Sequence, residues 1–225
     1  MSSVMKEIAK DLAEEIHTAK DIGIGSGRTV SEFVDALSGL KMKKGVRFIP
    51  SSHQTFLNLQ DKKFDVSAFP ISGYVKMYID SVDQIEEQNY YMIKGGGGAL
   101  AKEKVLMYNS NKIVLLVQEK KIAKKLGSEC PIPIEVIPFA RSFVMNFTRK
   151  VGGKPQIRRD ARNFPVFTEN GNLIIDVKFR AVHDPVAMEH ELKNQPGVLE
   201  VGIFTKRPSR IYIIREDSFR KLSID

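Results

Sequence analysis

The sequence predicts an α/β fold: a mostly parallel sheet domain covered by helices, with a smaller α+β domain. Three observations predict it. Short apolar runs alternate with stretches of helical period from the N-terminus to Gln118, the order that builds a parallel sheet with helices on both faces. Turns rich in glycine, hydroxyls or carboxylates follow successive runs, where open α/β sheets hold ligands. Beyond the proline-rich segment Pro131–Pro138, hairpin signals and two helices replace the alternation.

Each element has its own warrant. Between Val4 and Ile16, the residues Ile8, Leu12 and Ile16 recur four apart, a helical stripe. Asp21–Gly25 is a short apolar strand entering a glycine turn, and Thr29–Leu37 places Val30, Phe33, Val34 and Leu37 on one helix face. Val46–Pro50 is a second strand, after which Ser51 and Ser52 offer an N-cap to the next helix. Tyr74–Asp80 is a third strand, and Lys112–Gln118 encloses the continuous apolar run of a strand buried on both faces. Downstream come a helix at Arg141–Lys150, a strand at Gln156–Arg159 and a hairpin turned at Asn170-Gly171 between Phe164–Phe167 and Leu173–Val177. A helix at Pro185–Leu192 and strands at Val198–Phe204 and Arg210–Ile214 complete the order. Pro131–Pro138 is the expected boundary, giving domains at 1–130 plus about 206–225 and at 131–205.

Composition narrows the function. The chain is 42% hydrophobic and 28% charged, as in soluble globular domains, and no apolar run approaches the roughly 18 residues of a membrane span. Cys130 is the only cysteine, so no intramolecular disulfide is available, and a cytoplasmic location is expected. The net charge of +8 raises nucleic acid as a partner. Its basic clusters are dispersed among acids, however, without the aromatic series of a single-strand binder. A basic cleft that steers small anions explains the charge as well. Neither nucleic acid nor membrane is the expected partner.

Four turns carry the candidate chemistry. Gly23-Ile-Gly-Ser-Gly-Arg-Thr29 opens a helix after the first strand, where backbone amides suit a phosphate. Its spacing is neither the dinucleotide fingerprint nor a P-loop. Ser51–Thr55 is the second turn, and Asp80-Ser-Val-Asp83 brings two carboxylates to the end of the third strand. The fourth, Lys94-Gly-Gly-Gly-Gly-Ala-Leu-Ala-Lys-Glu103-Lys104, joins a cation, a bare amide loop and a carboxylate on the first turns of a helix. That combination suits a small anionic substrate that loses and regains a proton. Each turn follows a candidate strand, and in a parallel sheet all four open on one edge. No histidine lies in a metal-binding spacing, so no metal site is expected.

Together these residues resemble type A ribose-5-phosphate isomerase. The family's glycine turn appears at Gly23–Thr29, its hydroxyl segment at Ser51–Thr55, its acidic turn at Asp80–Gln84 and its lysine–glycine run, complete, at Lys94–Lys104. Pro133–Pro138, Gly152-Gly153, Thr168–Asn172 and Pro196–Val198 match as well. The resemblance implies a Rossmann-like parallel domain with a ferredoxin-like smaller domain, and an isomerase interconverting ribose 5-phosphate and ribulose 5-phosphate without cofactor. It further implies that Glu103 is the base, with a pKa raised towards neutrality by partial desolvation, that Lys94 stabilises the oxyanion and that Asp80 and Asp83 hold sugar hydroxyls. Ser26, Gly27, Arg28, Thr29, Gly95, Gly96, Gly97 and Lys121 fall at substrate-binding positions. A homodimer or homotetramer is implied too.

Three departures from the family pattern stand out: Arg28 replaces a small hydroxyl residue, Ser81-Val82 replaces Gly-Ala, and Gln84 replaces an acid. The alternative reading is a non-enzymatic phosphosugar sensor on the same fold, which needs the phosphate turn but no base. Retention of Glu103, Lys94, Asp80 and Asp83 together favours the enzyme over that sensor.

Overall fold

The computed structural model describes residues 2–69, 73–180 and 182–224. The chain runs α1 (Ser2–His17), β1 (Asp21–Ile24), α2 (Arg28–Ser38), β2 (Arg47–Pro50), α3 (His53–Asp61), β3 (Asp65–Val66) and β4 (Val75–Ser81). It continues through β5 (Gln84–Glu86), β6 (Met92–Ile93), α4 (Leu100–Tyr108), β7 (Ser110–Gln118) and β8 (Ile122–Ala123). Then follow β9 (Ile132–Val136), α5 (Arg141–Lys150), β10 (Lys154–Ile157), β11 (Leu173–Lys178) and α6 (Pro185–Lys193). Strands β12 (Val198–Val201), β13 (Ile203–Phe204), β14 (Arg210–Ile214) and β15 (Phe219–Ser223) end it. Two compact units result, the first from Met1–Ser81, Lys102–Lys120 and Pro208–Asp225, the second from Val82–Ala101 and Lys121–Arg207.

The first unit is built on a seven-stranded sheet ordered β15-β14-β7-β4-β1-β2-β3. Every neighbouring pair is parallel except β14 with β15. From β1 the chain winds outward through β2 and β3, then returns to place β4 on the other side of β1. The strand order therefore reverses between β1 and β4, the switch point at which doubly wound sheets open a crevice at their carboxyl edge. Helix α1 buries Met5, Ile8, Leu12 and Ile16 in one core with Phe33, Val34 and Leu37 of α2 and with Ile22, Ile24, Phe48 and Ile79 of the sheet. The four-apart spacing of α1 is thus the inward stripe of an amphipathic helix. Ile113–Val117 of β7 are all buried, as an uninterrupted apolar run requires.

The second unit holds two four-stranded sheets. One, ordered β10-β11-β9-β12, is wholly antiparallel; with α5 and α6 it runs β-α-β-β-α-β, the ferredoxin-like order. Its apolar face packs Ile132, Ile134, Val136, Ile175 and Val177 with Val144 of α5 and Leu192 of α6. The other sheet, β13-β6-β5-β8, is made of strands two or three residues long.

Several expectations change in the structure. The proline-rich segment contains β9, a central strand, and the second unit also takes in 82–101 and 121–130. The chain thus passes into that unit on strands too short to carry a period-2 signal. Val198–Phe204 is not one strand: Gly202 breaks it, donating its N–H to the Pro133 carbonyl at 2.7 Å and accepting from Lys94 N at 2.9 Å. These bonds serve different partners, so β12 and β13 lie in different sheets. The strand expected at 156–159 lies at Lys154–Ile157. Phe164–Phe167 forms only isolated bridges, Arg159 with Pro165 and Phe167 with Leu173. The Asn170-Gly171 turn itself is closed by Thr168 N–H on the Asn172 carbonyl at 2.8 Å.

That turn also solves a burial problem. Glu135 of β9 is 0% exposed, and its Oε1 accepts from Thr168 Oγ1 at 2.7 Å and from the Asn170 and Asn172 amides at 3.0 Å each. Three neutral donors from one turn thus converge on one oxygen of a buried acid from another segment. Asn172→Ala is expected to lower the unfolding free energy by about 1–3 kcal/mol, the cost of leaving a buried polar group short of a partner. Urea denaturation measures this directly.

Candidate active site

The site residues expected from sequence fall into two groups, one in each unit. In the first unit the glycine turn after β1 is tied on both sides. Gly25 N–H donates to the Ile79 carbonyl at 2.9 Å, and Thr55 Oγ1 donates to the Gly25 carbonyl at 2.8 Å. Thr55 is itself held by Ser52, the α3 N-cap, whose Oγ accepts from Thr55 N at 3.1 Å. The hydroxyl turn therefore caps a helix and braces the glycine turn.

Asp80, near the end of β4, lies against that turn and is 0% exposed. A Cβ on Gly25 would fall 1.8 Å from the Asp80 carboxyl carbon, so only glycine admits the carboxylate here. Its Oδ1 accepts from Ser81 N at 2.7 Å and Ser26 N at 3.3 Å, and its Oδ2 from the Tyr78 hydroxyl. Sequence reasoning missed Tyr78, although strand alternation puts residues 78 and 80 on one face. Burial raises the Tyr78 pKa well above 10, helped by the negative charges of Asp80 and Glu103. The phenol therefore stays a donor.

Glu103 lies in the first turn of α4 and is 2% exposed. Ser26 Oγ donates to its Oε1 at 2.7 Å. Ser26 thus serves both acids, Asp80 through its amide and Glu103 through its hydroxyl. Thr29 is buried and accepts from Gln118 Nε2 at 3.3 Å, whereas Gly27 and Arg28 are exposed at the start of α2. No side chain caps α2, so its first amides and the positive end of its dipole are open to an anion. Beside Arg28 a cleft of about 460 Å³ runs between α2 and α3, lined in part by Ser31, Gln54, Asn58 and Asp61.

The second unit holds Asp83, Lys94, the glycine run and Lys121. The Lys-Gly loop does not follow a strand of the parallel sheet, as expected from sequence; it follows β6 of the small sheet. Asp83 Oδ2 accepts from Gly96 N at 2.7 Å. A Cβ at Gly96 would stand 2.6 Å from Asp83 Oδ1, so this contact also requires glycine. Lys94 is 3% exposed, with Nζ 5.8 Å from the centre of the Phe204 ring, within cation–π range. Gly95 is buried, while Gly96 and Gly97 are exposed. The Lys121 ammonium donates to the Val82 carbonyl. Gln84, the departure from an acid, accepts from Gly127 N at 2.7 Å and donates to Ser128 Oγ at 3.4 Å. Its amide supplies a donor that a carboxylate lacks. Among the described residues no group of three or more His, Cys, Asp or Glu side chains could hold a metal ion, and no helix is long and apolar enough to cross a membrane.

A sequence profile described as Ribose 5-phosphate isomerase A (phosphoriboisomerase A) matches residues 47–218. The chain belongs to the ribose 5-phosphate isomerase A family. It is 37% identical to the Ribose-5-phosphate isomerase A of Methanocaldococcus jannaschii over 204 residues, covering 89% of each chain. It is 37% identical to that of Buchnera aphidicola subsp. Baizongia pistaciae, covering 94% of this chain and 93% of the relative. The solved structure of the M. jannaschii protein superimposes with a TM-score of 0.87 over 98% of both chains at 34% identity. A D-ribose-5-phosphate isomerase in complex with phospho-erythronic acid gives 0.90 over 98% of both at 31%. Family and fold are those of a ribose-5-phosphate isomerase.

The Tyr78 phenol carries a pH signature. Its pKa is higher folded than unfolded, so between about pH 10 and the folded value the native state holds one proton more, and stability falls as pH rises. Tyr78→Phe is expected to reduce the alkaline slope of unfolding free energy by up to about 1.4 kcal/mol per pH unit, read from denaturation series between pH 9.5 and about 11.

Proposed function

We propose that the protein interconverts D-ribose 5-phosphate and D-ribulose 5-phosphate, with Glu103 as the base. The observation that carries this reading is a carboxylate of 2% exposure held at 2.7 Å by a hydroxyl of the phosphate-type turn. A proton-transfer base needs to be fixed in geometry and shielded from water, and Glu103 meets both conditions. In the forward direction Glu103 takes the proton from carbon 2 of the open-chain aldose. The electron pair forms the carbon 1–carbon 2 double bond of an enediolate, and negative charge moves onto the carbonyl oxygen. Glu103 then returns the proton to carbon 1, and a proton passes between the two oxygens to leave the ketose.

The remaining candidates take roles suited to their chemistry. Lys94 and the neighbouring glycine amides stabilise the developing oxyanion, where preorganised donors act most strongly. Asp80, held in one orientation by three donors, and Asp83 engage sugar hydroxyls and assist proton movement between oxygens. Ser26, Gly27, Arg28 and Thr29 bind phosphate at the open start of α2, with Lys121 adding positive charge. Arg28, exposed where the family has a small hydroxyl residue, supplies a forked donor that a phosphate accepts. The phospho-erythronic acid bound by the related isomerase combines a phosphate with a carboxylate, the charge pattern of an enediolate phosphate.

Self-association as a homodimer or homotetramer belongs to the same reading. Its support is the apolar surface that the second unit leaves exposed at Ile137, Phe139 and Phe143, Phe139 being 98% accessible.

Glu103→Gln is expected to fold normally, bind the sugar phosphate and lose about 10²–10⁴-fold in kcat. A folded variant with unchanged turnover contradicts the assignment. Arg28→Ser is expected to raise KM by about tenfold, the loss of one charge-assisted contact of about 1.5 kcal/mol, while leaving kcat nearly unchanged. Steady-state kinetics with ribose 5-phosphate measures both.

A further inference from the structure

The second unit contains an ion pair that the proposed chemistry does not yet use. Arg158 follows β10, with its backbone fixed by its own N–H on the Ile174 carbonyl at 2.9 Å and by Val166 N–H on its carbonyl at 3.0 Å. Its guanidinium forks onto Asp176 of β11, Nε to Oδ2 at 2.8 Å and Nη2 to Oδ1 at 2.5 Å. Both side chains are largely shielded, at 16% and 21% exposure. The remaining nitrogen, Nη1, donates to the Gly95 carbonyl at 2.8 Å and the Gly96 carbonyl at 2.9 Å.

The consequence follows from peptide geometry. In a trans peptide the C=O and the next N–H point in opposite directions. With the carbonyls of Gly95 and Gly96 turned to Arg158, the N–H groups of Gly96 and Gly97 turn away from it. Gly96 N–H indeed meets Asp83 Oδ2 at 2.7 Å. The same geometry turns the N–H of Gly97, an exposed residue, away from Arg158. The loop also rests on the sheet: a Cβ at Gly95 would be 3.4 Å from Pro133, and one at Gly98 3.1 Å from Ile174 Cδ1. Pro133, Ile174, Asp176 and Arg158 therefore form one platform beneath the lysine–glycine run.

We infer that the Arg158–Asp176 pair is a positioning device for the reaction, clamping two loop carbonyls so that the Gly96 amide holds the Asp83 carboxylate in place and the Gly97 amide faces the substrate. Neither residue touches the reacting atoms in this account; both act through the loop. Asp176 holds the guanidinium plane, and the planar fork lets one side chain grip a carboxylate and two carbonyls at once. A lysine cannot do this, because its ammonium is a compact point charge without a fixed fork. Four flexible glycines in a row make such a clamp necessary, since a bare loop has no side chains of its own to define it.

The inference rests on the isomerase reading, and the test separates the two. Wild-type protein, Glu103→Gln, Arg158→Met, Arg158→Lys and Asp176→Asn are compared with ribose 5-phosphate, with folding checked by circular dichroism. A wild type that turns over and a Glu103→Gln that does not keep the isomerase reading in place. On that background the Arg158 variants are expected to lose about 10- to 100-fold in kcat, the scale of a displaced catalytic group. KM is expected to change by less than about threefold, because the loop contributes mainly to the transition state. Hydrogen exchange at residues 95–98 is expected to rise in Arg158→Met while β9 and β11 stay protected. Folded Arg158→Met and Arg158→Lys proteins with wild-type kcat overturn the inference and leave the isomerase reading intact. Exchange that rises equally throughout the second unit also overturns it, because the pair is then structural only.

Discussion

Asp80 has lost all contact with water, and a buried carboxylate persists only where donors replace the solvent. Much of the first unit's candidate site is arranged to meet that demand. Tyr78 supplies a hydroxyl from the same face of β4, Ser81 and Ser26 supply amides, and Gly25 leaves out the Cβ that would collide with the carboxylate. Fixing Asp80 against the glycine turn also fixes Ser26, whose hydroxyl then reaches Glu103. Two acids and a phosphate-type turn are thereby held in one network. Such a network is worth more than separate pairs, because each bond restricts the partners of the next. The turn sits where strand order reverses in the sheet, the place where the topology leaves room for a ligand.

The second unit meets a different demand. Its lysine–glycine run has almost no side chains to order it, yet the proposed chemistry needs amides aimed within a fraction of an ångström. The ferredoxin-like sheet supplies the order. One face is an apolar core against α5 and α6, while the other carries polar residues that bind neighbouring segments. Glu135 gathers the 168–172 turn and Arg158 with Asp176 gathers the glycine loop. Buried polar groups here act as local fasteners, each bonded to a specific loop.

Much of this was legible in the sequence. The long periodic elements α1, α2, β4 and β7 fall where spacing and apolar runs place them, because each buries a wide face. The glycine and acidic turns were legible as well, since glycine at a strand end signals close approach. What escaped was information that no local window contains. Strands β5, β6 and β8 are too short to show alternation, so the route of the chain into the second unit was hidden. Gly202 splits an apolar run between two sheets for reasons that lie at Pro133 and Lys94. Tyr78 was within reach, two residues from Asp80 on the same strand face. Arg158 and Asp176 were not, because 18 residues and a hairpin separate them.

The central claim is that hydrogen leaves carbon 2 as a proton, resides on Glu103 and returns to carbon 1. Isomerisation of ribose 5-phosphate in heavy water, followed by proton NMR of the ribulose 5-phosphate after many turnovers, tests this most directly. Even a shielded carboxyl base exchanges its proton with solvent in a fraction of events, so over many reversible turnovers carbon-bound deuterium is predicted to accumulate at carbon 1. Product free of carbon-bound deuterium after repeated turnover would show hydrogen passing directly between the carbons, and would contradict the role given to Glu103.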